Sequence, residues 1–265
     1  MDEERVRSYF LHLKLERKWD SKSIRQARAS LTAFFNEMLG RNWHVFSTIK
    51  TKDVFKLPTV LTREEVRLIL TTVQEPRFSV ALRLIYECGL RMGEALRVAP
   101  KDIHRTNLRL HVHLAKGGKD RMVPLSAMML EELTCWWYLH RNRNLMFPSK
   151  GFDLKGVKHS DPAALAACRA ERMRLATTTM SESSLQSAFR RALLASGVKT
   201  KASIHTLRHS YATHLLEEGV SIRYVSQYLG HATLEQTLIY THLTAASEAQ
   251  TQQALAKMSA AVRSK

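Results

Sequence analysis

In the stretch from Ile204 to Leu243, His205 and Arg208 stand three residues apart, His231 follows in a Leu-Gly-His triplet, and Tyr240 comes nine residues later. A phosphate, a base and a nucleophile could meet at such a set. A phosphodiester gathers negative charge on its non-bridging oxygens as it becomes pentavalent, and arginine offers forked donors for that charge. Histidines orient a phosphate and move protons near neutral pH. A tyrosine hydroxyl, with an ordinary pKa of about 10, is a weak nucleophile and needs cationic surroundings to act. One arginine is too few for this chemistry. Two further cations stand upstream: Arg91, with Glu94 three residues on, and Lys116 in the run Lys116-Gly-Gly-Lys-Asp.

Each residue also has an ordinary reading when taken singly. Arg91 and Glu94 are spaced as a surface ion pair of little value. Lys116 is a solvated turn lysine, and the run around it lacks the G-x-x-x-x-G-K-[ST] spacing of a nucleotide-cradling loop. His231 alone reads as a core or helix-end histidine, and Tyr240 alone as a core or surface tyrosine. His205 and His209, at i and i+4, could hold a metal. There is no H-E-x-x-H pattern, however, and Arg208 beside them repels a cation. The expectation is therefore no metal and no cofactor.

The wider composition points the same way. Lys and Arg number 41 against 24 Asp and Glu, a net charge of +17, and the excess is present both in the first 57 residues and in the remainder. Such a surplus repels itself in a compact fold and fits a polyanionic partner, nucleic acid. The three cysteines, Cys88, Cys135 and Cys168, form no C-x-x-C pair, which speaks against a disulfide framework or a cysteine zinc site. No run reaches the roughly 18 apolar residues of a membrane span, and the charged first residues lack a signal core. A cytoplasmic protein is expected, with no membrane partner.

The elements that must position these residues are mostly helices. Val6, Phe10 and Leu13 share one side of a helix over residues 2–17, and Ser23 caps a second that carries Ile24, Ala27, Leu31, Phe34, Phe35 and Met38 to a stop at Gly40. From Arg41 to Pro58 periodicity fades and lysines recur, as in a basic linker. Thr62 to Glu65 is a capping box that opens a second domain. Helices follow over about Arg77–Cys88 and Met92–Val98. Leu108, Leu110, Val112 and Leu114 alternate with polar residues as one strand, the Lys116 run turns, and Arg121–Leu125 returns, making a β-hairpin. Ser126–His140 reads as a helix with Met129, Leu133, Trp136 and Trp137 inward. Pro148–Met180 is irregular apart from a helix over Pro162–Leu175. Further helices are expected to Ala195, over Thr206–Glu218 and Ser221–Leu229, and around Tyr240.

Four segments, GLRMGEALRV, AKGGKDRMVPL, HTLRHSYATHLLEEG and LGHATLEQTLIYTHL, resemble in order and spacing the motifs of tyrosine site-specific recombinases, the phage integrase, Xer and integron integrase proteins. The resemblance covers about residues 58–245. It implies a mainly α (α+β) fold: a helical catalytic domain with a small antiparallel sheet over 61–265, behind a helical DNA-clamping domain over 1–50 and a linker over 51–60. It makes Arg91 and Arg208 the phosphate-clamping arginines, Lys116 the donor to the leaving 5′ oxygen, His205 and His231 the paired histidines, Tyr240 the nucleophile, and Glu94 the acid that buttresses Arg91. The implied reaction is metal-free strand cleavage through a 3′-phosphotyrosyl intermediate. The implied assembly is a homotetramer on two DNA sites that exchanges C-terminal tails, here 245–265 with a helix over Ala245–Ala261.

Three features depart from the family pattern. The N-terminal domain is one or two helices short of the usual four. Residues 149–180 form an insertion longer than in simple Xer proteins, similar to the extra segment of integron integrases. Gly93 stands where Ser or Thr is more usual. Two other readings compete with recombination: a DNA-binding accessory or inactive relic that does not cut, and a type IB topoisomerase that relaxes DNA by swivelling.

Overall fold

The computed structural model describes residues 2–51, 57–113, 120–150 and 162–241. Lys116 and the tail 245–265 lie outside the described residues. The chain divides into two compact units, Met1–Lys56 and Leu57–Lys265.

In the first unit, α1 (Glu3–Leu15) is capped by Asp2 and α2 (Ser21–Thr32) by Asp20, whose Oδ1 accepts from Ser23 N at 2.7 Å. The helix thus begins before the Ser23 cap that the sequence suggested, because the Asp20 carboxylate is the better acceptor for orphan amides. α2 runs into a π-helical turn over Ala33–Met38, closed by Gly40 at φ +61°. The expected linker then differs from what is found. Its first part folds back as α3 (Val45–Thr48), burying Val45 and Phe46 against Val6, Phe10, Leu13, Ile24 and Phe35. Trp43 stacks on Phe35 at 4.4 Å, and Val45 N donates to Glu3 Oε2 at 2.8 Å. Two adjacent apolar residues in a polar stretch make no periodicity, so this turn is silent in the sequence. The unit has its own core.

The second unit opens with α4 (Arg63–Thr72), whose capping box joins Thr62 and Glu65 in both directions. The apolar α5 (Pro76–Cys88) is buried on several faces and runs through the core. After α6 (Met92–Leu96) and a 3₁₀ turn over Pro100–Asp102 comes an antiparallel sheet in the order β1 (Ile103–His104), β2 (Arg109–Val112), β3 (Arg121–Pro124). Leu110 pairs with Val123 and Val112 with Arg121, which sets the inward face. Leu108 is not part of the strand: it sits exposed at φ +49°, in the turn before it. The two-residue β1 is too short to leave a pattern in sequence.

α7 (Ala127–His140) buries Met129, Leu133 and Trp136, while Trp137 is half-buried with its Nε1 donating to Asn142 O at 2.8 Å. The ends of the insertion meet: Ser149 N donates to Thr178 O at 2.9 Å and Met180 N to Phe147 O at 2.8 Å. Inside it, buried Asn142 caps α8 (Pro162–Leu175) by donating to Met173 O and Ala176 O at 2.8 and 2.9 Å. α9 (Glu182–Ala195), α10 (Ile204–Glu217), α11 (Ile222–Leu229) and the single turn α12 (Glu235–Leu238) complete the unit. Tyr240 was expected on a helix; it falls just after α12, its N donating to Thr237 O at 3.0 Å. Among the described residues no helix is long and apolar enough to cross a membrane.

Candidate active site

Helices α5 and α11 each end in a left-handed glycine, Gly89 at φ +60° and Gly230 at φ +63°. Left-handed backbone suits glycine because it has no Cβ to clash. A Cβ at Gly89 would also stand 2.4 Å from the ring of Tyr211. These two ends aim carbonyls at one guanidinium: Arg208 on α10 donates Nη1 to Gly89 O at 2.5 Å and Nη2 to Leu229 O at 2.6 Å. Helix C-termini carry partial negative charge and so hold a cation well. Arg208 is only 2% exposed. Burial, and then Arg91 nearby, lower its pKa to about 10, which leaves it charged at neutral pH.

The counter-charge is Glu94, itself 5% exposed. It accepts from Arg91 Nη1 at 2.8 Å through Oε1, and through Oε2 from Arg91 N at 2.8 Å and Arg121 Nη2 at 2.7 Å. Arg208 Nη1 lies 3.9 Å from the same Oε2. Burial alone would raise the Glu94 carboxyl, but the hydrogen bond and charge of Arg121, with the backbone and side-chain hydrogen bonds of Arg91, hold it at about 2. One carboxylate therefore orders three guanidiniums. Arg91 keeps 32% of its side chain exposed and is the cation turned toward solvent, whereas Arg121 is spent inside, its Nε donating to Tyr228 O at 2.7 Å.

Tyr240 is 2% exposed, and its Oη lies 2.8 Å from His209 Nδ1. Burial raises the Tyr240 pKa, and Arg208 and then Arg91 pull it back. His231 stacks beside the phenol at 6.4 Å between ring centres and is oriented by Thr237 Oγ1, 2.8 Å from its Nδ1. His205 meets the His209 ring edge-on at 4.5 Å. Burial first, and neighbouring cations after it, lower all three histidines, His209 and His231 to about 4 and His205 in the same direction. They are neutral at pH 7, so each ring has a lone pair for a proton and an N–H for an oxygen.

The structure thus gathers Arg91, Glu94, His205, Arg208, His231 and Tyr240 into one cluster. Lys116, expected at the hairpin tip, lies outside the described residues. Two members of the cluster were not singled out for it from the sequence. Arg121 left a signal: it shares the period-2 inward register of Val123 and Leu125, where a charge is out of place unless paired. His209 was weighed only as a metal ligand with His205. Its position one residue after Arg208 carries no hint that it reaches Tyr240, since the partner lies 31 residues away.

This fold, with a buried arginine–histidine cluster facing a tyrosine, is that of a DNA strand-transferring catalytic domain, and the comparisons with known proteins agree. The chain matches the phage integrase family over residues 59–247, and its N-terminal SAM-like domain over residues 1–45. It is 31% identical over 241 residues to the putative integrase/recombinase y4qK of Sinorhizobium fredii, covering 91% of this chain and 70% of that one. It is 31% identical over 222 residues to a tyrosine recombinase of Thermosipho africanus, covering 81% and 69%. The crystal structure of a lambda integrase tetramer bound to a Holliday junction superposes with a TM-score of 0.66 at 18% identity, over 89% of this chain and 64% of that one. The chain belongs to the phage integrase family of tyrosine site-specific recombinases.

Proposed function

We propose that this tyrosine recombinase cuts and rejoins DNA at specific sites with Tyr240 as nucleophile, serving integration, excision or inversion. Arg91 and Arg208 grip the scissile phosphate, whose growing charge they meet without reorganising. Glu94 holds both in place. His205 and His231 donate to phosphate oxygens as neutral rings. Tyr240 attacks phosphorus, its proton passing to His209 Nδ1, and the 5′ oxygen departs with a proton from Lys116. The product is a 3′-phosphotyrosyl ester and a free 5′ hydroxyl. Attack by the hydroxyl of a partner strand reverses these steps, so bond energy is conserved and neither a metal nor ATP takes part.

The observation that supports this reading is the pair of arginines, Arg91 and Arg208, at one carboxylate, with a buried tyrosine and three neutral histidines beside them. The charge of +17 suits a duplex partner, as does an N-terminal unit of the SAM-like type acting as a DNA clamp. Exchange between two duplexes involves four strands, hence four tyrosines and a homotetramer, with the tails 245–265 linking neighbours. The setting is cytoplasmic.

Tyr240→Phe is the decisive variant. On a nicked suicide substrate the wild type should form an SDS-resistant adduct and the variant none, with DNA affinity nearly unchanged. An undiminished adduct in the variant overturns the assignment of the nucleophile. A wild type that binds without any adduct favours a binding accessory, and plasmid relaxation without a preferred site favours the swivelling reading.

A further inference from the structure

Where β2 ends and β3 begins, three side chains that take no part in the Glu94 cluster converge. His111 and His113 lie two apart, on one face of the strand, with ring centres 4.0 Å apart. Asp120 faces them from just before β3: its Oδ2 is 3.0 Å from His111 Nε2 and 3.1 Å from His113 Nδ1. All three donor atoms lie within 4.8 Å of one another. From these positions we infer a divalent-cation site for Zn²⁺, with His111 Nε2, His113 Nδ1 and Asp120 Oδ2 as ligands and water in the fourth place.

The geometry carries this beyond a surface cluster. A tetrahedral cation with bonds of about 2.0–2.1 Å places its ligand atoms about 3.3 Å apart, so the two edges at Asp120 need open only by a few tenths of an ångström. Nitrogen, nitrogen and carboxylate oxygen are the donor set of zinc and its neighbours, not of magnesium or calcium. The orientation of the key ring is built in. His113 Nε2 donates to Asp102 Oδ1 at 2.9 Å, which turns Nδ1 toward Asp120. Asp102 is 4% exposed and is itself fixed by Ala99 N, which donates to its Oδ2 at 2.8 Å. A buried carboxylate behind a ligating histidine is the arrangement that fixes ring and tautomer at zinc sites. Bound there, the ion would clasp both strands at the root of the hairpin and close the six-residue segment between His113 and Asp120 that holds Lys116.

The test reads metal binding and not strand cleavage, so it stands apart from the reaction proposed above. The full chain, stripped with chelator, is titrated with Zn²⁺ alone by calorimetry and with Co²⁺ by visible absorbance. One equivalent should bind, with the intense visible bands of four-coordinate cobalt. His113→Gln and Asp120→Asn should abolish the stoichiometric phase, Asp102→Asn should weaken it roughly 10- to 100-fold, and His205→Gln should leave it intact. Thermal melts of the stripped variants, matched to wild type, exclude unfolding as the cause. Absence of the one-equivalent phase, a six-coordinate cobalt spectrum, survival of binding in His113→Gln or its loss in His205→Gln would each overturn the site.

Discussion

The cluster around Glu94 and the root of the β2–β3 hairpin both contain histidines and a buried carboxylate, yet they hold charge in opposite ways. Around Glu94 two of the three guanidiniums are buried, Arg208 tied to backbone carbonyls at two helix ends and Arg121 to Tyr228 O, so the charge pattern is set by the fold itself. At the hairpin the partners are side chains on exposed strand ends, with His113 45% exposed, and they hold mainly one another. Burial depresses the interior histidines, whereas the hydrogen bond to Asp102 raises His113 against the opposing effect of burial, with Asp120 adding to the rise. Preorganisation belongs to the first region, and the second is the natural place for a contact that DNA or an ion can remake.

The sharpest way to break the contrast is Glu94→Gln. Removing the one carboxylate leaves Arg121 buried without a counter-charge, which should cost about 3–5 kcal/mol by urea unfolding; a loss below 1 kcal/mol would mean that the carbonyls alone hold the cluster. Next, Arg208→Ala should slow adduct formation by roughly 10² to 10³, the scale of losing an oxyanion donor, in single-turnover cleavage. Gly89→Ala combines left-handed strain with a clash on Tyr211 and should destabilise by about 2–3 kcal/mol, moving the carbonyl under Arg208 and so slowing cleavage as well.

Acid should separate the two regions by sign. His209 and His231, neutral when folded, contribute stability that is present above 6.5 and is lost as pH falls from there toward 4; Glu94 adds a further loss between 4.5 and about 2. His113, raised above 6.5, contributes in the other sense, present below 6.5 and lost as pH rises through its folded value. Denaturation midpoints in chelator should therefore fall on acidification, and His231→Gln should flatten that fall between pH 6.5 and 4. The smallest effect is expected far from both regions: Thr62→Ala removes a helix cap, should cost about 1 kcal/mol, and should leave the cleavage rate unchanged.

Much of the cluster was legible in the sequence because four of its members stand close together along the chain. His205, Arg208, His231 and Tyr240 sit on consecutive short helices and turns, so their order along the chain survives as a motif. What was hidden is what the third dimension adds. Arg121 reaches Glu94 across 27 residues, and His209 reaches Tyr240 across 31. Neither pairing has a local signature. α3 and β1 were lost for a different reason: elements of four and two residues are too short to show a period. Leu108 was placed in the strand because alternation is blind to the sign of φ.

The insertion that begins and ends at the bridge between Pro148 and Thr179 has a consequence for how such a protein diverges. Its two ends are fastened to each other, so the rest of the domain experiences them as one short connection whatever lies between. The segment can therefore vary between those ends while Arg91 and Arg208, which lie outside it, stay in place, so long as the buried Asn142 keeps its bonds to Met173 and Ala176.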